Sequence, residues 1–191
     1  MEIPLAAPPR ETEAKFRVAD RQALEGRLRE LGAAPGPAAL ERDALLDDRA
    51  GTLRGQGKAV RIRETAGTAI LTFKGPRELR AGVRSRVELE TEVGDARTIA
   101  AFLRELGLEP VFRYEKRRTP WRFADPSRPL VVIDETPIGL FSEIEGDEGA
   151  IRILAGELGV GEEEFLTESY AALYFEARRH DPSLPFDMVF G

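Results

Sequence analysis

The chain has 191 residues, of which 42% are hydrophobic and 32% are charged, with no cysteine and a single histidine. This length supports one domain with a substantial hydrophobic core. The absence of cysteine excludes disulfides, thiolate zinc sites and cysteine nucleophiles. The single histidine, His180, excludes multi-histidine metal centres. The formal net charge of −6 lacks the basic excess of duplex-binding proteins, so nucleic acid is not an expected partner.

The sequence also indicates where the protein works. Its apolar runs are all shorter than the roughly 18 residues that a membrane span requires. The N-terminus lacks the basic start and the apolar stretch of a signal peptide. We therefore expect a cytoplasmic protein without a membrane partner, and the sequence leaves open whether it is a monomer or a homodimer.

The first half of the chain is predicted to contain one helix and several strands. Residues 1–10 hold three prolines and are predicted to be a flexible lead-in. A helix is expected to begin after Asp20 and to end at Gly32, followed by a loop of alanine, proline and glycine. Strands are predicted at residues 11–18, 40–47, 59–64, 69–74 and 83–93, with turn residues between most of them.

The second half is predicted to add three strands and three helices. Asp95 is expected to cap a helix that ends at Gly107, and two helices are predicted near the C-terminus. The strands are predicted at 111–118, 130–134 and 140–145, and the last helices at 148–158 and 168–179. Residues 11–180 are thus predicted to form a single domain, with a loose tail at 181–191. Short connections between strands favour antiparallel pairing, and hence an α+β fold.

Charged and apolar residues alternate along every predicted strand. Residues two apart in a strand face the same way, about 7 Å from each other. Glu11, Glu13 and Lys15 therefore share one face of the first strand, and Ala14 and Phe16 share the other. The same pattern groups Arg61 with Arg63, Lys74 with Thr72, Lys116 with Arg118, Glu143 with Glu145, and Arg84, Arg86, Glu88 and Glu90.

Two interpretations of this pattern remain open. The charged faces could meet water on an ordinary half-buried antiparallel sheet. Alternatively, the sheet could close into a barrel, which would remove its edges and place the charged rows inside. Burial of so many charges costs too much free energy unless water fills the interior, the charges pair with one another or a charged ligand occupies it.

A charged interior would suit a polyphosphate and a divalent cation. Guanidinium groups bind phosphate oxygens in pairs. Glu-x-Glu pairs on two strands offer the oxygen ligands that Mg²⁺ or Mn²⁺ prefers, and such ions commonly bridge carboxylates to substrate phosphates. A spare carboxylate could orient or deprotonate water during phosphoryl transfer.

An ordered series of motifs resembles the CYTH family, also called triphosphate tunnel metalloenzymes. The series begins with Glu11-Thr12-Glu13-Ala14-Lys15, an E-x-E-x-K signature, and extends to about Tyr170. It continues through Val60-Arg61-Ile62-Arg63, Leu71-Thr72-Phe73-Lys74, Arg86-Val87-Glu88-Leu89-Glu90, Lys116-Arg117-Arg118, Ile133-Asp134-Glu135-Thr136-Pro137 and Glu143-Ile144-Glu145-Gly146. The family includes class IV adenylyl cyclases, thiamine triphosphatases and inorganic triphosphatases.

The resemblance implies an α+β fold built on a closed eight-stranded antiparallel β-barrel. Its charged interior would be a tunnel for a triphosphate, with helices outside and a C-terminal helix near one end, where Tyr170 is a further candidate. The implied phosphate-binding residues are Lys15, Arg61, Arg63, Lys74, Arg86, Lys116 and Arg118. The implied metal ligands are Glu11, Glu13, Glu143 and Glu145, with Asp134 near them, for Mg²⁺ or Mn²⁺. The implied catalytic residues are Glu88 and Glu90, which would bind a second metal or activate water, together with Lys15.

One departure from the family pattern bears on the substrate. Members often carry aromatic residues between two aspartates on the second strand, whereas this chain reads Asp43-Ala44-Leu45-Leu46-Asp47. A stacking role for this strand is therefore in doubt. We expect metal-dependent hydrolysis of inorganic triphosphate or of a small organic triphosphate such as thiamine triphosphate. Conversion of ATP to cyclic AMP and a non-catalytic polyphosphate-binding module are the alternatives. Glu143→Gln is expected to reduce turnover, and relief of repulsion among crowded carboxylates to raise its stability without metal.

Overall fold

The computed structural model describes residues 7–191, and the first six residues of the predicted lead-in lie outside the described residues. The strands are β1 (Arg10–Arg17), β2 (Ala33–Pro35), β3 (Ala39–Asp47), β4 (Ala59–Thr65), β5 (Thr68–Lys74), β6 (Glu78–Arg80), β7 (Val83–Val93), β8 (Glu109–Phe123), β9 (Leu130–Thr136) and β10 (Gly139–Glu145). The helices are α1 (Arg21–Glu30), α2 (Thr52–Gly55), α3 (Ala96–Glu105), α4 (Glu148–Glu157) and α5 (Tyr170–His180), with a 3₁₀ turn at Glu162–Glu164.

Eight antiparallel strands close into a barrel in the order β1-β10-β9-β8-β3-β4-β5-β7. The closure is made by β1, which pairs with β10 along one part of its length and with β7 along the other. Glu13 lies where the two pairings overlap, opposite Glu145 on β10 and opposite Arg84 on β7. The predicted α+β fold with a closed eight-stranded barrel is thereby confirmed, and the short strands β2 and β6 extend the sheet beside β8 and β7.

Alternation along the strands separates an apolar outer face from a charged interior. On β1, Ala14 and Phe16 are buried in an apolar cluster that also includes Leu28 of α1 and Leu154 of α4. Helix α3 covers another part of the barrel, where Leu103 packs with residues of β3 and β4. Side chains of the opposite parity on these strands point into the barrel, because successive residues of a strand face opposite sides. The helices therefore protect the outside and leave the interior to polar groups.

The helix boundaries follow from capping residues that the sequence displays. Asp20 accepts hydrogen bonds from two backbone N–H groups at the start of α1, and Asp95 accepts one at the start of α3. Asp147 and Ser169 cap α4 and α5 in the same way. Such caps satisfy backbone donors that the first helical turn leaves without partners. The loop predicted after α1 differs in one respect, since residues 33–35 form β2 against the far end of β8.

The C-terminal residues 181–191 do not form the loose tail that the sequence predicts. Met188 is fully buried, its N–H donates to Arg113 O at 3.0 Å, and its carbonyl accepts from Glu115 N–H at 2.8 Å. The Tyr174 hydroxyl donates to Pro185 O at 2.9 Å. This segment covers the edge of β8 that β9 does not reach, which satisfies backbone groups that would otherwise be open. The folded unit therefore continues past residue 180.

Met188→Ala should destabilise the protein by about 2–4 kcal/mol, because it opens a cavity at a fully buried position. Urea unfolding followed by circular dichroism measures the difference. Val189→Ala is the matched control, since the neighbouring side chain is 38% exposed and its loss should change the stability by less than about 0.5 kcal/mol. Equal stability of the two variants would contradict the packed position of this segment.

Candidate active site in the tunnel

The barrel interior holds a cavity of about 790 Å³ that is lined by basic and acidic side chains. The predicted site residues that line it are Lys15, Arg61, Arg63, Lys74, Arg86, Lys116, Arg118, Glu11, Glu13, Glu88, Glu90, Glu143 and Glu145. Asp134 is the one predicted residue that does not line the cavity. The alternation of charge along the strands therefore describes the lining of a tunnel rather than a water-facing sheet.

Asp134 pairs with two of the predicted phosphate-binding cations, Lys116 and Arg118. Arg118 donates to its carboxylate from Nε at 2.8 Å and from Nη2 at 2.7 Å. Lys116 and the Tyr170 hydroxyl donate to the same carboxylate at 2.9 and 2.7 Å. Burial alone would raise the pKa of Asp134, but the charges of Arg118 and Lys116 outweigh it and lower that pKa to about 2. With four hydrogen bonds to accept, this carboxylate has little capacity for a metal ion.

A second group of ions joins β3 to β4. Arg63 donates two hydrogen bonds of 2.8 and 3.1 Å to the Asp43 carboxylate, and its Nη1 lies 2.9 Å from Glu41. Arg61 lies 3.5 Å from the Asp43 carboxylate and 2.9 Å from Glu90. Glu90 is half-exposed at the edge of this group, whereas Asp43 is fully enclosed. The two guanidinium groups are thus held side by side at fixed positions on the tunnel wall.

Lys15 belongs to a third group of charged residues, together with Glu143. Its Nζ is 3.0 Å from Glu143, and it lies 3.6 Å from the centre of the Tyr170 ring. Burial lowers the pKa of Lys15 to about 8, and the nearby Arg84 contributes to the shift. Glu143 is also paired with Arg118, and its pKa lies well below the usual range because cations on several sides outweigh its burial. Glu143, a predicted metal ligand, is therefore engaged by cations.

Glu11, Glu13 and Glu145 form the group with the geometry of a metal site. One carboxylate oxygen from each lies within 4.8 Å of the others. Glu11 Oε2 is buried and accepts no hydrogen bond. Burial raises the pKa of Glu145 to about 7, since the single cation Arg118 does not offset the neighbouring carboxylates. Three crowded carboxylates, one of which has a buried oxygen without a hydrogen-bond partner, are what a hard divalent cation would stabilise, so these residues fit Mg²⁺ or Mn²⁺.

Glu88 lies beside this acidic group. The Lys74 ammonium is 2.7 Å from its carboxylate and 3.5 Å from Glu11, and Arg86 lies 3.6 Å from both acids. Burial raises the pKa of Glu88 to about 7, and contact with Glu11 adds to the shift. A carboxyl with a pKa near neutrality can accept and release a proton at physiological pH. Glu88 is enclosed beside the acidic group, whereas Glu90 is half-exposed at the tunnel edge.

The sequence prediction omitted several residues that the structure brings to this site. Arg84 is buried and lies 2.8 Å from Glu13, which it holds in place. Its position two residues before Arg86 on the same strand is a signal that could have identified it. Glu41 and Asp43 follow the same spacing on β3. Arg77 offers no such signal, because it lies in the turn between β5 and β6 and reaches the cavity from there.

Without metal, Glu145→Gln should stabilise the protein at pH 8, whereas Glu143→Gln should destabilise it. Between pH 4.5 and about 7, the folded protein holds a proton on Glu145 that the unfolded chain releases, so this carboxyl lowers the stability as the pH rises. The gain for Glu145→Gln should be about 1–3 kcal/mol at pH 8 and should vanish near pH 4.5. Urea unfolding in EDTA at both pH values measures it.

Glu143→Gln provides the opposing control. Loss of the Glu143 carboxylate removes a counter-charge from Lys15 and from Arg118, which should lower the free energy of unfolding at pH 8 by about 3 kcal/mol. The relief of repulsion that the sequence predicts for Glu143 applies to Glu145 instead. Stabilisation by Glu143→Gln, or no effect of Glu145→Gln at pH 8, would contradict this distribution of charge.

Comparisons with known proteins agree with the barrel fold. A protein from Vibrio parahaemolyticus, provisionally assigned as an adenylate cyclase, superposes with a TM-score of 0.75 and is 22% identical over 88% of this chain and 99% of its own. The PH1819 protein from Pyrococcus horikoshii superposes with a TM-score of 0.72 and is 24% identical over 88% of this chain and 99% of its own.

A third structure carries a stated activity. It is a Hippeastrum protein, provisionally assigned as an adenylyl cyclase, that reveals a dominant triphosphatase activity; its TM-score is 0.66, with 19% identity over 87% of this chain and 96% of its own. At these identities the three likenesses establish a shared fold. No curated protein sequence matches the chain. The sequence model of the CYTH domain matches residues 9–190, and the chain therefore belongs to the CYTH domain family.

Proposed function

We propose that this protein hydrolyses a triphosphate in the tunnel and that the reaction requires Mg²⁺ or Mn²⁺. The observation that carries the proposal is that both signs of charge converge in one cavity, where three crowded carboxylates lie close enough to share a cation and buried lysine and arginine side chains line the same walls. A triphosphate with a divalent cation has the complementary arrangement, since its oxygens suit the cations and its metal suits the carboxylates. The triphosphatase activity of the Hippeastrum relative supports the same reaction.

The basic residues would bind and orient the triphosphate chain. Arg61 and Arg63 present guanidinium groups held by Asp43, and Arg118 is held in the same way by Asp134. Groups fixed in advance lose little freedom when they bind phosphate oxygens, and fixed donors stabilise charge that develops in the transition state. Lys74, Arg86 and Lys116 complete the predicted set of phosphate-binding residues around the same cavity.

The acidic residues would hold the metal and move a proton. Glu11, Glu13 and Glu145 would hold a divalent cation, which when bound neutralises phosphate charge and polarises the phosphorus–oxygen bond. Glu88 would accept a proton from the water that attacks the terminal phosphorus, as its pKa near 7 permits. Lys15, buried and with a pKa near 8, would donate a hydrogen bond to the oxygen of the leaving diphosphate. Glu90 would support Arg61 from the tunnel edge.

A substrate panel tests the reaction. Purified protein is incubated with tripolyphosphate, thiamine triphosphate or ATP and with Mg²⁺ or Mn²⁺, and phosphate, diphosphate and cyclic AMP are measured. Metal-dependent release of phosphate is the expected result. Cyclic AMP as the main product would replace hydrolysis by the cyclase reaction, and tight binding without turnover would indicate a polyphosphate-binding module.

Glu13→Gln should reduce metal-dependent phosphate release by about 100-fold or more, because it removes a carboxylate from the centre of the acidic group. The apparent affinity for Mg²⁺ should fall as well, as titration of activity against metal concentration would show. Glu64→Gln is the control, since Glu64 is exposed on the outer face of β4. Near-native activity and metal affinity in Glu13→Gln would remove this residue from the metal site.

Lys15→Ala should lower kcat by about 100-fold or more, because it deletes a buried cation next to the reacting phosphates. Arg17→Ala is the control on the same strand, since its side chain is exposed and two residues further along. Both variants need a thermal unfolding curve to show that they are folded. A drop of less than fivefold in folded Lys15→Ala would count against the catalytic role.

A further inference from the structure

The acidic group in the tunnel is in contact with a positive charge that belongs to the protein itself. Arg84 lies opposite Glu13 where β7 pairs with β1. Its Nη2 is 2.8 Å from the Glu13 carboxylate and 3.8 Å from the carboxylate of Glu143. Glu13 is also one of the three carboxylates whose oxygens lie within 4.8 Å of one another. A divalent cation that bound this group would therefore share Glu13 with a guanidinium group.

The chain just before α5 holds the Arg84 side chain from the other side. Nη1 of Arg84 donates to Glu168 O at 3.0 Å. This part of the chain is itself fixed to the barrel, because the Leu166 N–H donates to Lys15 O at 2.7 Å. The guanidinium group is thus held between β1 and the start of α5.

Arg84 is more enclosed than the cations beside the other two carboxylates of the acidic group. Arg86 lies 3.6 Å from Glu11, Arg118 lies 3.3 Å from Glu145, and both arginine side chains are 17% exposed. The side chain of Arg84 is only 5% exposed. A side chain that reaches water can turn away when a metal ion takes its carboxylate, whereas an enclosed and tethered one stays in place. Arg84 is therefore a fixed charge at the metal site.

One edge of the Arg84 guanidinium group is free to bind an anion. Nε and Nη2 are buried, and neither donates a hydrogen bond to any of residues 7–191, so the contact with Glu13 is one of charge alone. Arg63 and Arg118 use this same edge, Nε with Nη2, to hold their carboxylates. Buried donors without acceptors are unfavourable, and phosphate oxygens accept from guanidinium groups in pairs. Since Arg84 lines the tunnel, its free edge suits a phosphate group there.

The charge of Arg84 has opposite effects on the two ligands of the tunnel. Repulsion between a guanidinium group and a divalent cation on the same carboxylate is stronger inside a protein than in water. The guanidinium charge also offsets part of the negative charge that attracts the ion, and metal affinity depends on the charge of the ligand set. A phosphate group, in contrast, gains a partner. Arg84 should therefore weaken binding of the metal alone and strengthen binding of the triphosphate.

We propose that Arg84 is a positioning residue that couples metal binding to triphosphate binding. In the empty tunnel it competes with the metal for Glu13. A phosphate group that accepts from Nε and Nη2 brings negative charge to the same place, which offsets the repulsion and strengthens metal binding. The effect is reciprocal, because each ligand must change the affinity of the other by the same factor. The inference rests on the proposed function of the tunnel and deepens it, since it gives the reason why the two ligands enter together.

The first test measures binding of Mn²⁺ alone to metal-free protein by calorimetry. Arg84→Met should bind Mn²⁺ about tenfold more tightly than the native protein, because the competing charge is gone. A role confined to holding Glu13 in place would instead make the binding weaker. Arg84→Lys keeps the charge and should remain within about threefold of the native affinity. Arg80→Met is the matched control, since it removes the same charge from an exposed side chain on β6 and should change the affinity by less than twofold.

The second test measures binding of tripolyphosphate alone by calorimetry in EDTA. Arg84→Met should bind it about tenfold more weakly, so that one substitution shifts the two affinities in opposite directions. Thermal unfolding shows whether the variant is folded, and Mn²⁺ should raise its melting temperature by more than that of the native protein. If Arg84→Met does not fold, Arg84→Gln carries the same predictions, because it removes the charge and keeps hydrogen-bonding capacity. Unchanged or weaker Mn²⁺ binding, or unchanged tripolyphosphate binding, would overturn the coupling.

Neither test uses turnover, so the inference and the proposed hydrolysis can fail separately. If the native protein releases no phosphate from any triphosphate but Arg84→Met shows the two opposite shifts, the hydrolysis fails and the coupling stands. If phosphate is released but Arg84→Met binds Mn²⁺ no more tightly than the native protein, the coupling fails and the hydrolysis stands.

Discussion

Mutual compensation of buried charges is the constraint on which this structure depends. The barrel interior brings carboxylates and cations out of bulk water, and an unpaired ion there would be destabilising by several kcal/mol. Closure of the eight strands places rows of opposite sign across from each other, as in the contacts of Arg63 with Asp43 and of Lys15 with Glu143. Each of the predicted phosphate-binding cations is then paired with a carboxylate from a neighbouring strand. Packing of the helices on the apolar outer face stabilises the barrel, and the ion pairs offset the cost of burying charges in its interior.

The same constraint explains how the tunnel could exchange its internal partners for a ligand. Compensation is nearly complete around Asp134, which accepts four hydrogen bonds, and incomplete around Glu145 and Glu88, whose pKa values are raised to about 7. A cation is most favourable where carboxylates crowd, and phosphate oxygens are most favourable where guanidinium groups are already fixed. A metal–triphosphate complex supplies both at once. Under the proposed function, the tunnel should therefore favour joint binding of the metal and the triphosphate. Binding of the metal alone or of the triphosphate alone would leave one sign of charge in excess.

Period-two alternation in the sequence was sufficient to group the charged side chains on one face of each strand, because successive residues of a strand face opposite sides. It left open whether that face meets water or a closed interior, and the ordered series of family motifs is what favours the interior. It could not specify which ions pair, because the pairing depends on the register between strands that are distant in the sequence. The family pattern implies Glu143 as a metal ligand with Asp134 near it, and the structure adds that both carboxylates are paired with Arg118. The packing of residues 181–191 was missed for a related reason. The C-terminal segment packs against an edge of β8 near Arg113 and Glu115. This edge is open because β9 pairs with β8 only from Arg117 onwards.

The aromatic residues near one end of the tunnel lie on other elements than the family pattern suggests. The second barrel strand carries alanine and leucines where aromatic residues would be expected, and both Leu45 and Leu46 line the tunnel cavity. The aromatic surface comes instead from Phe112, Phe175 and Phe186, on three other elements that converge at the tunnel end. The C-terminal segment thus has two roles, because it covers the edge of β8 and also presents Phe186. Since buried Met188 anchors the segment and exposed Phe186 faces the cavity, the two roles belong to different side chains and can be altered independently.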